Sequence, residues 1–191
     1  MITSIIQHIY YFLFHYPLKI ILNSKVSITK NLNLKKPILI IANHNSKIDP
    51  FLLVLLPFSL FTKLAPFYFP TAKEYHKNIF LSFLLKSFGS YPIKRWGWSF
   101  DDVFDKTIRD LRNGKTTLIF PEGQIVRKGE KVKPKLGFLY LASKVNATIL
   151  PIKLEIRNNK TIIKVGKTMS TFDKINHKKE ATKIMTDLYK M

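Results

Sequence analysis

Residues 37–50 read PILIIANHNSKIDP, from Pro37 to Pro50. The first half, Ile38 to Ala42, is short and continuously apolar, the pattern of a strand buried on both faces. The second half turns polar at once and ends on Asp49-Pro50. That pair reads as a helix start over Pro50 to Leu56, with Asp49 at the N-cap and proline at the first helical position. A buried strand leading through a polar loop into a helix is the repeating unit of an α/β fold. In such folds, ligands bind at the carboxyl edge of the sheet, and His44 stands in that loop. Pro50 disfavours the α region at Asp49, so the loop can fold back and bring the carboxylate to the imidazole. A carboxylate on one ring nitrogen fixes the tautomer and leaves the other nitrogen free to accept a proton. Taken alone, the same residues also read as a helix cap beside a loop histidine.

Downstream, strand and helix patterns alternate. Asn78 to Phe88 reads as a helix closed by Gly89, and Tyr91 to Lys94 as a short strand. Asp101 to Asn113 is amphipathic, opens on acids and ends at Gly114. Thr116 to Phe120 is a β-branched strand running into the turn Pro121-Glu122-Gly123. Leu136 to Ser143 reads as a helix. Thr148 to Ile156 and Thr161 to Val165 read as two strands of a hairpin across Asn158-Asn159. His177 to Tyr189 reads as the last helix. The expected fold is a single α/β domain with a mixed β-sheet covered by helices.

The composition narrows the partners. The 191 residues carry a formal charge of +20 and no cysteine, so disulfides and zinc-thiolate sites are excluded. Such a charge suits a polyanion, either a nucleic acid or an anionic membrane face. No acid precedes Asp49, although six lysines do. That acid-free stretch includes the apolar segment Ile2 to Leu22. On a helical wheel, Ser4, Gln7, His8, Tyr11 and His15 form a polar stripe on a wide apolar body, with a break at Pro17. The expectation is an amphipathic membrane-anchoring helical segment over residues 1–24, interfacial or re-entrant, followed by one catalytic domain over 25–191; a helix buried against the domain core and a secretory signal peptide are the alternatives. The runner-up reading is a basic nucleic-acid-binding protein without catalysis, with Trp96, Trp98 and Tyr91 among its lysines.

The ordered blocks decide between them. The sequence resembles the acyltransferase family of glycerolipid synthesis, whose members acylate glycerol 3-phosphate or 1-acyl-glycerol 3-phosphate. Asn43, His44 and Asp49 match its N-H-x4-D block, and Phe120 to Gly123 match its F-P-E-G block. Gly89, Tyr91, Ile93 and Arg95 match a weaker block, and Lys135 with Gly137 another. Leu150, Pro151 and Ile152 match the apolar-Pro-apolar strand. The resemblance runs from Pro37 to Leu154 in unbroken order. It departs once: Gln124, Ile125 and Val126 stand where the family continues with threonine, arginine and serine. That arginine helps hold the acceptor's phosphate in family members. Arg127 is the candidate to replace it from the same loop, and lyso-lipids without phosphate stay open as acceptors.

The resemblance implies that His44 is the general base and Asp49 its orienter. Asn43, Lys94, Arg95, Glu122, Gly123, Arg127 and Lys135 are the implied substrate-binding residues. Arg95, with Lys94 beside it, suits a phosphate because a guanidinium matches it bidentately. Glu122 is expected to be buried, where its carboxylate needs partners. The implied reaction moves a fatty acyl group from acyl carrier protein or coenzyme A to a lysophospholipid hydroxyl. No covalent acyl-enzyme is needed, which suits a chain without cysteine or a G-x-S-x-G elbow. No metal or cofactor is expected, since His8, His15, His76 and His177 lack ligand spacing and read as interfacial or solvated. The expected partners are a lysophospholipid, an acyl thioester and an anionic membrane surface, not a nucleic acid. The expected location is the cytoplasmic face of a membrane.

Overall fold

A computed structural model describes residues 2–93, 100–127, 130, 132–157, 160–170 and 177–191. Lys94 and Arg95 lie outside the described residues, as do Trp96, Trp98 and the turn Asn158-Asn159. The helices are α1 (Ile2–Ile21), α2 (Phe58–Leu64), α3 (Ile79–Ser87), α4 (Phe100–Arg112), α5 (Gly137–Val145) and α6 (His177–Lys190). The strands are β1 (Lys25–Ile28), β2 (Ile38–Ala42), β3 (Phe67–Ala72), β4 (Ser90–Ile93), β5 (Thr116–Ile119), β6 (Thr148–Arg157) and β7 (Lys160–Val165). Two 3-10 helices, Asp49–Leu55 and Lys73–His76, complete the described elements.

The seven strands form one mixed sheet in the order β1-β7-β6-β2-β5-β3-β4. β6, β2, β5, β3 and β4 are parallel, and β7 returns antiparallel to β6. β2 is the central strand, and all five of its side chains are buried. Ile38, Ile40 and Ala42 face a core built with α1, α2 and the first 3-10 helix. Leu39 and Ile41 face a second core built with α4, α5 and α6. The continuous apolar run is therefore a consequence of cover on both faces.

The helix after Asp49 is a 3-10 turn, not an α-helix, and Asp49 is its first residue rather than its cap. The chain then makes α2 and β3, two elements that the sequence pattern does not announce. β3 contains Pro70, a residue that demotes a run read as a strand. The cost is limited because β3 pairs with β5 only through Phe67 and Tyr68, leaving Pro70 on the β4 side.

α1 departs most from expectation. It runs unbroken through Pro17. Leu13, whose carbonyl loses its donor to that proline, lies on an exposed turn, so no buried acceptor is orphaned. Its polar stripe faces the protein. Gln7 is fully buried; its amide donates to the Phe67 and Phe88 carbonyls at 2.7 and 2.9 Å and accepts from the Phe67 N–H. His15 is buried rather than interfacial, with Nδ1 2.7 Å from the Val54 carbonyl and its ring stacked on Tyr11. The apolar side, including Ile5, Ile9, Phe12, Leu13 and Ile20, is exposed. No helix among the described residues is long and apolar enough to cross a membrane.

Replacing Gln7 with leucine keeps the volume and removes three backbone partners. Buried groups left unpaired cost ~1–3 kcal/mol each, so Gln7→Leu is expected to lower stability by roughly 3 kcal/mol. The measurement is urea unfolding in mild detergent. A midpoint equal to wild type would contradict this role for the amide.

Candidate active site

Parallel register places the site. Ile41 of β2 sits opposite Ile119 of β5, so the two strands end side by side. His44 leaves the first end and Phe120 the second, and their rings stack at 4.1 Å with an interplanar angle of 17°. The turn after β5 then folds back onto the loop after β2, where the Val126 N–H donates to the His44 carbonyl at 2.7 Å. β6 pairs with β2 on the other side and continues past its end. There, Asn43 locks onto Leu154 through both amide atoms: Oδ1 accepts at 2.7 Å and Nδ2 donates at 2.8 Å. Asn45 donates to the same Leu154 carbonyl at 2.9 Å. The two asparagines thus clamp the loop at either side of His44.

Within this frame, Asp49 turns back. Its Oδ2 lies 2.9 Å from His44 Nδ1 and accepts the N–H groups of Asn45 and Ser46 at 2.6 and 2.8 Å. With three donors upstream, the carboxylate does not cap the helix after it. Its side chain is fully buried, while that of His44 keeps 18% of its surface exposed. With the carboxylate on Nδ1, that nitrogen carries the hydrogen and Nε2 is the free proton acceptor. The Phe120 ring limits rotation of the imidazole. The arrangement can do general-base chemistry at Nε2 and can hold the resulting imidazolium against a sealed carboxylate.

Glu122 lies on the same turn and is buried. Tyr189 of α6 donates to its Oε1 at 2.7 Å, while Oε2 is buried without a protein partner. Burial pushes the Glu122 carboxyl upward in pKa, against the opposing pull of the Tyr189 hydrogen bond and nearby backbone donors. Burial, and then the same contact, raise the Tyr189 hydroxyl. Gly123 has φ +66°, and a Cβ there would meet the Lys135 side chain at 2.8–3.0 Å. The Lys135 N–H also donates to the Pro121 carbonyl at 2.8 Å. A groove of about 1020 Å³ opens here, with Asn43, Asn45, Glu122, Arg127, Leu154 and Tyr189 among its walls. The expected residues Asn43, His44, Asp49, Glu122, Gly123, Arg127 and Lys135 thus gather at one edge of the sheet. Tyr189, Phe120 and Asn45 join them without having been singled out in the sequence. Only Phe120 had a signal there, as the first residue of F-P-E-G.

The comparisons bear on the family and the fold. The acyltransferase family model matches residues 23–155, well over half of the chain, and the chain belongs to that family. Its fold is similar to that in the crystal structure of the 1-acyl-sn-glycerophosphate (LPA) acyltransferase, PlsC, from Thermotoga maritima. The TM-score is 0.68 at 18% identity, covering 97% of this chain and 78% of that one. A comparison with curated proteins by sequence returns no match.

Glu122 gives a pH prediction. A raised folded-state pKa means that the folded protein binds this proton more tightly than the unfolded chain does. The carboxyl therefore costs stability once it ionises above its folded pKa, and the penalty is relieved as pH falls through that value. Glu122→Gln keeps an acceptor for Tyr189 without the charge. Its urea midpoint at neutral pH is expected to equal or exceed wild type, with a smaller gain on acidification. A variant that is less stable than wild type at neutral pH and equally responsive to acid would contradict the assignment.

Proposed function

We propose that the chain transfers a fatty acyl group from an acyl thioester to the hydroxyl of a lysophospholipid, with 1-acyl-glycerol 3-phosphate as the favoured acceptor. The observation that carries this reading is the His44 imidazole, oriented by a sealed Asp49 and free at Nε2, in a loop whose Asn43 and Asn45 line a groove with apolar, cationic and acidic walls. Nε2 removes the proton of the acceptor hydroxyl as its oxygen attacks the thioester carbonyl. The new C–O bond forms and a tetrahedral oxyanion results. On its collapse the C–S bond breaks, and the imidazolium returns the proton to the leaving thiolate. Asp49 stabilises the imidazolium between these events. The acyl carrier protein and coenzyme A are alternative carriers of the thioester. Leu154 and Ile156 supply apolar wall to the groove, and Arg127 is the cation on the turn after β5 that suits a phosphate.

The same reading includes a place of work. Residues 1–24 are the membrane-interface segment and 25–191 the acyltransferase domain, acting at the cytoplasmic face of a membrane. The outward apolar side of α1 supports this, together with the +20 charge, since each cation near an anionic surface is worth ~1 kcal/mol. α1 is also bonded to the catalytic elements, because His15 holds Val54 in the 3-10 helix that begins at Asp49.

The decisive assay is acyl transfer to lysophosphatidic acid in lipid or detergent. His44→Ala is expected to lose about 10²–10⁴-fold in kcat, the usual range for a general base. Asp49→Asn is expected to lose a comparable factor by offering the wrong hydrogen to Nδ1. Equal transfer by wild type and His44→Ala would overturn the mechanism, as would turnover of no lyso-lipid by wild type.

Because α1 buries Gln7, Tyr11 and His15, deleting it would strip the core along with any anchor. The cleaner variant replaces outward Ile9, Phe12 and Leu13 with serine. It is expected to keep the unfolding transition and to lose most sedimentation with anionic vesicles. Undiminished sedimentation would remove α1 from the anchor.

A further inference from the structure

α3 repeats the inversion seen in α1. Its nine residues, Ile79 to Ser87, turn Ser82 and Leu85 inward. Ser82 is held near His76 Nδ1 at 3.3 Å. The large apolar residues point the other way: Ile79, Phe80 and Phe83 are 88%, 78% and 71% exposed, with Leu81 and Leu84 beside them. The start is fixed, because the Asn78 side chain accepts the Leu81 N–H at 2.9 Å. The end is fixed too, because Gly89 takes φ +97° and a Cβ there would run into the Phe67 carbonyl. This is a helix fixed at both ends that presents an apolar face with no protein partner on it among the described residues.

α3 adjoins α1. The Tyr10 hydroxyl lies 2.8 Å from Ser87 Oγ, and the Tyr10 ring stacks on Phe88 at 5.6 Å. The charged side chains within both helices are lysines. α1, α2 and α3 contain no acid, and exposed Lys19, Lys63, Lys77 and Lys86 stand at or beside their ends. In all of residues 1–93, the acids are Asp49, which is sealed in the catalytic loop, and Glu74. Bulky apolar side chains between lysines match a bilayer surface, whose acyl boundary takes the former and whose anionic headgroups take the latter.

We infer that α3 is a second membrane-inserting element, docking on an anionic lipid surface alongside α1. The inference rests on the proposed membrane-surface reading and adds to it. One helix leaves the protein free to roll about its axis on the surface, whereas two adjoining helices fix its orientation. A fixed orientation holds the edge of the sheet carrying His44 at a constant height above the lipid from which an acceptor must come. Exposed apolar side chains flanked by exposed lysines suit an anionic bilayer, which moulds to any apolar shape, better than a rigid protein partner.

The chain has no cysteine, so single cysteines can be labelled without background. An environment-sensitive fluorophore is placed at Phe80→Cys on α3, at Phe12→Cys on α1 and at Lys183→Cys on α6. Each full-length variant is mixed with vesicles of phosphatidylcholine and phosphatidylglycerol. The expected result is a blue shift and quenching by bilayer-embedded quenchers at positions 12 and 80, but not at 183. A shift at 12 without one at 80 overturns the role of α3 and leaves the α1 anchor standing. A shift at neither overturns both. A shift at 80 already present without vesicles also overturns the proposal, because the face is then covered by a second copy of the chain. As an independent readout, Phe80→Ser with Phe83→Ser is expected to weaken vesicle binding by roughly tenfold or more. Turnover of detergent-dispersed substrate should stay unchanged. Equal vesicle binding by this variant and wild type would count against the inference.

Discussion

One oxygen of Asp49 receives three hydrogen bonds, from the His44 ring and from the backbone of Asn45 and Ser46. These donors replace the water that Oδ2 has lost, and charge-assisted bonds are the strong ones, while Oδ1 is buried without a partner among the described residues. Two of the donors are backbone groups of the loop itself. The carboxylate therefore cannot keep them without holding the loop in one shape, and that shape puts the imidazole at its third position. Loop conformation, tautomer and imidazole orientation are one constraint, not three. The role expected for Asp49 as a helix cap is given up in the process: the donors it satisfies lie before it, and Pro50 has no N–H to offer after it.

That constraint is useful only if the loop is delivered to the right place, and the sheet does this. β2, β5 and β6 are parallel neighbours, so their chains emerge at the same edge, with Phe120 and Leu154 on either side of the loop. Phe120 packs on the ring, while Leu154 binds Asn43 and Asn45. The groove beside them is closed at one side by Tyr189, which belongs to the last helix yet bonds Glu122 of the turn after β5. The C-terminal helix is thus part of the wall of the site and not merely cover for the sheet.

How far the sequence reveals this follows the distance over which each feature is encoded. The His44–Asp49 pair spans five residues and is bounded by a proline, so local rules reach it. The β2, β5, β6 and β7 strands carry their own periodicity and turn residues. By contrast, Asn43 meets Leu154 across 111 positions and Glu122 meets Tyr189 across 67. Nothing in either partner's neighbourhood announces such a contact. β3 was hidden for another reason. Pro70 argues against a strand, and only the asymmetric pairing of β3 with β5 and β4 makes it harmless.

α1 and α3 show the sharpest limit of pattern reading. A helical wheel separates a polar stripe from an apolar body, but it does not say which side faces the protein. The usual assignment assumes water outside. Here the polar stripe is inside because β3, the end of α3 and the 3-10 helix present backbone groups that need partners: the N–H and carbonyl of Phe67, and the carbonyls of Phe88 and Val54. Gln7 and His15 satisfy them. The apolar residues are outward by consequence, since both sides of one helix cannot be buried against one layer. A helix that uses its polar residues to hold the protein keeps its apolar residues for something else, and the same logic places Ser82 inside α3 and Phe80 outside.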